Sequence, residues 1–300
     1  MNNTVTETAA NIRGVARSAL KGNWKQICIG MILYMVIITL VTDVLMALFP
    51  NYIVNEYLAE PMSMPIIPYV YIGIISGPMT LGMTSFIMYF FRRRDINPGY
   101  MFNGFGHFGK GFGLQFMTGL LSAWPLIIVY IGFFIYMIST VVSSLYYGQT
   151  SGAMLGIMFL FLILIIAAGV YMVIKILAFS QAFYLMCNDL MDENLTEKRG
   201  IMRCLKESQQ LMKGNKGKLF CVQLSFIGWA IVSAIPMIIV STILEQAGSG
   251  ALVTAIVSFI FQLPMAGYYA YSEMGSMVFH DILIGKLVAR PAQQQIDQNF

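Results

Sequence analysis

Lys175 and Glu273 each fall inside a long apolar stretch, where a charged side chain at a bilayer centre costs roughly 2.5–3.5 kcal/mol. Lys175 lies about 22 residues into its stretch, a helical rise of roughly 33 Å that puts it near the cytoplasmic edge where its stem can snorkel, and Glu273 lies close to the same edge in another. Opposite charges at matching depth suit an ion pair between two helices, with a proton or substrate relay as the alternative. Glu273 and His280 are also the candidates for an intramembrane enzyme acting on lipid, a reading that would need a polar cavity at their depth. The chain has 2 histidines, His107 and His280, and no credible Ser/His/Asp set, so no catalytic constellation is expected. The run Gly104-Phe105-Gly106-His107-Phe108-Gly109 has the letters of a dinucleotide fingerprint. That motif works as a turn between a strand and a helix, and here it joins two apolar stretches. Phe102, Phe105, Phe108 and Phe112 around it read better as interfacial anchors. Thioethers bind Cu(I), but of the 23 methionines only Met62 and Met64 cluster outside an apolar run. No metal or cofactor is expected.

The elements that must position these residues are membrane spans. The chain is 58% hydrophobic and 11% charged, with a mean hydropathy of +0.72, against roughly 25% charged for a soluble domain. Apolar runs near 26–49, 68–91, 120–146, 153–187, 219–244 and 251–280 are each long enough to cross a ~30 Å hydrocarbon layer. The expected fold is an all-α polytopic bundle of six spans. Every Lys and Arg except Lys175 falls in the N-terminal segment, the second gap, the fourth gap or the tail. Such lopsidedness puts those segments and both termini in the cytoplasm. The organisation is then a cytoplasmic amphipathic segment 1–25, four spans over 26–187 with a basic loop at 92–112, a basic hairpin 188–218, two spans over 219–280 and a tail 281–300. The first apolar run is about 24 residues long, too long for a cleavable signal peptide. Cys28, Cys187, Cys204 and Cys221 all map to the cytoplasmic side and are expected as reduced thiols. The sequons at Asn2 and Asn194 face the same side and are unusable. Gly73 with Gly77, and Gly148, Gly152 and Gly156, have the spacing that lets helices approach closely.

Lys21-Gly22-Asn23 before the first span is echoed by Lys213-Gly214-Asn215 before the fifth, and Pro78-Met79 in the second by Pro264-Met265 in the sixth. The echoes suggest two parallel halves, with convergent helix stop signals as the alternative. Ahead of the second element, Ile201, Met202, Leu205 and Met212 recur at helical spacing. An amphipathic helix there either lies among lipid headgroups or forms a solvated hairpin. Lys21, Lys25, Arg92, Arg93, Arg94, Lys213, Lys216 and Lys218 are the candidates for anionic headgroups.

The stretch Ser208–Phe220 with Leu224–Trp229, together with Ala16-Arg17, Leu20–Trp24, Gly77-Pro78, Phe102 and Phe105, resembles the bacterial integral membrane family described as domain of unknown function 975. The resemblance implies a multi-pass membrane fold and carries no catalytic residues. Members of that family commonly have Pro-Gly in span four, where this chain has Ala168-Gly169, so a kink is not carried over. With charge concentrated outside the bilayer, the leading expectation is a non-enzymatic accessory or scaffold protein that binds anionic lipid or a membrane protein partner, and no nucleic acid. The alternative is a small-solute or lipid transporter or channel, which needs polar groups near the midplane. Thr118, Ser139, Thr140 and Gln262 are the side chains the sequence offers for that path.

Overall fold

The computed structural model describes residues 4–49, 52–53, 62–63, 66–147, 153–192 and 198–287. Helix α1 (Ala9–Leu20) starts on Thr8, whose hydroxyl accepts the backbone N–H of Asn11 at 3.2 Å. It stops at Gly22, whose φ of +86° an L side chain rarely adopts. The first span is α2 (Trp24–Met35), a π-helical turn at Val36–Leu40, and α3 (Val41–Leu48). Then come α4 (Ile66–Arg93), a 3₁₀ turn at Pro98–Phe102, the short α5 (Asn103–Gly106) and α6 (Phe108–Tyr147). The chain continues through α7 (Ala153–Phe179), α8 (Ala182–Met191), α9 (Ile201–Leu211) and α10 (Lys216–Leu224), and ends in α11 (Ile227–Gln246), α12 (Ala251–Gln262) and α13 (Met265–Leu283). Apart from a two-residue antiparallel ribbon pairing Tyr52–Ile53 with Met62–Ser63, the described residues build helices.

Five helices are long and apolar enough to cross a membrane, and six spans result if α12 and α13 count as one. Their bend of 54° sits at Pro264, which lacks an N–H and cannot continue the ladder. The 12 residues of α12 rise only about 18 Å, so α12 alone is too short. Three expected spans are therefore not single helices. The fourth breaks at Ser180-Gln181, the fifth at Ser225-Phe226 and the sixth at Leu263-Pro264. The break after α7 is repaired from outside: the N–H of Gln181 donates to the hydroxyl of Ser208 on α9, which itself donates to the carbonyl of Ala178. Helix α7 runs unbroken through Ala168-Gly169.

Packing is uneven along the bundle. The core gathers at the pole that carries α1 and the Arg92–Arg94 run, from α1, α2, the second half of α4, α8, α9, α10 and α13. Far from that pole, Phe134, Phe159 and Val232 are 65%, 64% and 62% exposed, on helices apolar all round. A water-facing protein rarely leaves so wide an apolar surface. The amphipathic helix α9 turns Cys204, Leu205 and Ser208 into the protein, and only Met202 of its expected apolar stripe faces outward. It is a packed element of the core, neither a headgroup helix nor a free hairpin.

Glycines set the closest approach. A Cβ on Gly82 would lie 1.7 Å from the carbonyl oxygen of Met101, and one on Gly104 1.8 Å from that of Pro78. The glycine-rich run after α4 is thus a packing surface against α4. Gly77 makes a similar approach to Gly111, whereas Gly73 and Gly156 face open space; Gly148, Gly152, Asn2, Asn194 and Met64 lie outside the described residues. Because backbone must move to admit a methyl group, Gly82→Ala should destabilise the protein in detergent by about 2 kcal/mol or more, read as a fall in melting temperature. The same change at Gly73 should leave it within about 0.5 kcal/mol.

Candidate functional site

Two polar sites lie inside the packed pole, and the break between α7 and α8 serves both. The first is a chain of hydrogen bonds. Arg92, at the end of α4, holds Asp281 of α13 in a two-pronged pair, Nη2 to Oδ1 at 2.5 Å and Nε to Oδ2 at 3.3 Å. Its Nη1 donates to Oδ1 of Asn188 on α8 at 2.5 Å. A guanidinium has no acceptor, so Asn188 must turn its oxygen toward Arg92 and its amide nitrogen toward Nε2 of His280, 3.0 Å away. That ring nitrogen then accepts, so the proton sits on Nδ1, which donates to Oε1 of Gln181 at 3.0 Å. Gln181 passes the sense on through Nε2 to the hydroxyl of Ser180. His280 and Gln181 are 0% and 1% exposed, so a single arginine fixes a buried neutral imidazole and two amides.

Beyond Asn188 the pole opens into a cavity of about 700 Å³ lined by Arg92, Arg93, Asn188, Asp189, Arg199 and Lys286, among others. Asp189 accepts the backbone N–H of Arg199 at 2.8 Å and pairs with its guanidinium. Arg199 also meets Glu207 at 2.7 Å, and Arg203 reaches the same carboxylate at 2.9 Å. Behind this lattice, burial pushes the Cys204 thiol up to about 11.

The second site is a smaller cavity of about 160 Å³ between α4, α8, α10 and α13. Thr80, Thr84, Ser180, Gln181, Tyr184, Gln223 and Glu273 are among its walls, and Ser276 completes the polar lining. Tyr184 stacks on His280 with ring centroids 5.0 Å apart, and its hydroxyl donates to Oε2 of Glu273 at 3.3 Å. No Lys or Arg lines the space. Thr84 stands nine residues before Arg93 on α4, about 13 Å from the helix end.

The expected Lys175–Glu273 pair is not formed. Among the described residues no ion pair joins them. Lys175 lies along its own helix, its ammonium 5.6 Å from the ring of Tyr171 and 5.8 Å from that of Phe179. The side chains expected to line a polar path lie away from this space. Thr118, Ser139, Thr140 and Gln262 do not line this cavity, and the hydroxyl of Thr140 bonds back to its own helix at Met137, 2.8 Å away. Of the eight headgroup candidates, Lys21, Lys25, Arg93, Lys213 and Lys218 are exposed and Lys216 is half-buried. Arg92 is committed to Asp281, and Arg94 donates to the carbonyl of Ala19 at 2.8 Å. Phe102 and Phe108 are exposed, and Phe108, Phe112 and Phe116 form a ladder of rings about 6 Å apart. Of the cavity side chains, Glu273 stands out in the sequence as a charge within an apolar run, and the remaining signal is Thr80 and Thr84 at i,i+4, one face of a helix.

Removing Arg92 strands Asp281 and unfixes Asn188, so Arg92→Gln should cost about 3 kcal/mol in detergent unfolding, and Arg93→Gln under about 1 kcal/mol. A thiol pushed up to about 11 carries little thiolate at pH 8. Alkylation of Cys204 at that pH should therefore lag that of exposed Cys221 more than about tenfold, with parity after denaturation.

Neither the curated proteins nor the solved structures contain a match to this chain. A family model does match, over residues 1–283, under the description protein of unknown function (DUF975). With that match spanning nearly all of an all-helical chain with five or six apolar spans, the chain belongs to the DUF975 family of proteins of unknown function.

Proposed function

We propose that this is a non-enzymatic, multi-pass protein of the bacterial cytoplasmic membrane, its basic pole and both termini in the cytoplasm, that binds and conducts a small cationic solute or a proton through the Glu273 cavity. The observation that carries this reading is the convergence of seven polar side chains with one carboxylate and no cation inside an otherwise apolar bundle. A carboxylate removed from water takes up a proton or a cation, because the bare ion is too costly. Hydroxyls of Thr80, Thr84 and Ser276 with the amide oxygen of Gln223 are hard-oxygen donors suited to such a guest. The wide cavity beyond Asn188 supplies an aqueous vestibule, and the His280 chain stands between the two. Convergence of this kind promotes the transport reading over the scaffold reading favoured by charge distribution alone.

The scaffold reading keeps one observation of its own. Exposed Lys21, Lys25, Lys213 and Lys218 ring the basic pole, and a cytoplasmic leaflet attracts such charge by about 1 kcal/mol per residue. A parallel duplication gains support too, since Gly22 and Gly214 share a φ of +86° in matching helix–turn–helix units.

Purified protein in liposomes should raise the flux of protons or of a small cation such as methylammonium above that of protein-free vesicles. Glu273→Gln, which keeps the shape and removes the charge, should lower that flux at least about tenfold, the equivalent of about 1.4 kcal/mol. Flux equal to protein-free vesicles for protons, sodium, potassium and methylammonium alike would overturn the reading.

A further inference from the structure

A third cavity, of about 540 Å³, lies on the flank of the same pole, away from Glu273 and His280. Arg17, Trp24, Trp229, Ser233, Tyr268 and Tyr271 are among its walls. Its polar side chains can all donate hydrogen bonds. The guanidinium of Arg17 has no ion pair or hydrogen bond among the described residues and rests 5.9 Å from the ring of Tyr271. The indole N–H groups of Trp24 and Trp229 and the hydroxyls of Ser233 and Tyr268 likewise have no bonded partner there. Tyr271 is committed, its hydroxyl donating to the carbonyl of Arg13 at 3.3 Å, and no Asp or Glu lines the space.

The layout runs from charged to apolar. Arg17 belongs to α1 and Trp24 opens α2, next to exposed Lys21 and Lys25, where an indole marks a membrane interface. Trp229 is the third residue of α11 and is followed by Ile231 and Val232, which are 59% and 62% exposed. Donors gathered at one end with an open apolar wall at the other match one guest: a phosphate diester whose acyl chains lie along α11. The guanidinium binds the phosphate oxygens by charge-assisted hydrogen bonds, while indole and phenol groups serve the ester region.

We propose that this groove is a specific site for an anionic phospholipid, with Arg17 holding the phosphate and Trp24, Trp229 and Tyr268 framing it. The site is independent of transport through Glu273, and its orientation in the cell follows from the basic pole facing the anionic cytoplasmic leaflet.

The chain has 3 tryptophans, two of them in this groove, so intrinsic fluorescence reports on it directly. Full-length Trp124→Phe protein is placed in phosphatidylcholine nanodiscs doped with lipid brominated on its acyl chains, either phosphatidylglycerol or phosphatidylcholine at equal mole fraction. Half-quenching should need about fivefold less brominated phosphatidylglycerol than phosphatidylcholine, with no relief by millimolar inorganic phosphate. Arg17→Gln should abolish the preference and Arg17→Lys should restore part of it. Equal quenching by the two lipids would overturn the proposal, leaving ordinary interfacial aromatics. Quenching by neither would overturn it as well, since the groove is then covered by another copy of the chain or by protein; the wild type, with Trp124 on a lipid-facing helix, reports whether the chain is in the bilayer at all. Relief by free phosphate would reassign the site to a soluble anion and overturn the lipid claim.

Discussion

Arg92 donates hydrogen bonds and accepts none, and this chemical one-sidedness orders the interior of the packed pole. Its grip on Asp281 ties α4 to α13, and its contact with Asn188 ties both to α8. From there the direction of every hydrogen bond to Ser180 is determined. In a low-dielectric setting a partly satisfied network costs more than an apolar core, so the arrangement holds together or fails together. The sharing of Gln181 between this chain and the small cavity places Glu273 next to an element with one permitted hydrogen-bond order.

The three helix breaks have a common consequence. Each falls where a span would otherwise run straight, and each brings side chains inward that a continuous helix would have turned elsewhere. At Ser180-Gln181 the freed backbone is satisfied by Ser208, so α9, drawn from the longest polar segment, is structurally part of the membrane-spanning bundle. Irregular backbone inside a slab of hydrocarbon is tolerated where it is buried in protein or lines a cavity, and here it does both. Phe134, Phe159 and Val232 on α6, α7 and α11, far from this pole, stay exposed, an apolar surface that suits lipid rather than water.

Much of this architecture was legible in the sequence because it rests on one-dimensional signals. Apolar runs located the long helices, although α6 begins at Phe108 rather than near 120 and α11 at Ile227 rather than near 219, and the Lys-Gly-Asn elements marked two left-handed glycine turns that the structure contains at Gly22 and Gly214. What failed was direction around a helix axis. Depth comes from counting residues, but each residue also turns by about 100°, and an apolar span has no polar stripe to report its phase. Lys175 and Glu273 were matched in height, yet Lys175 folds along Tyr171 and Phe179 of its own helix. Thr118, Ser139, Thr140 and Gln262 are polar letters of the same sort and lie outside the Glu273 cavity. Thr80, Thr84, Gln223 and Ser276 were equally visible as polar letters, and only packing of four helices shows that they share a space.

The central claim is that water and cations reach Glu273 inside the bundle. Ser276→Cys places a nearly isosteric thiol on the wall of that cavity, in a chain whose Cys28 and Cys221 are replaced by Ser. Its reaction rate with small cationic and anionic methanethiosulfonate reagents tests the claim directly. The account predicts modification by both, faster by the cationic reagent, with the preference lost on adding Glu273→Gln. A thiol as inert to both reagents as one placed at lipid-facing Val232 would contradict it.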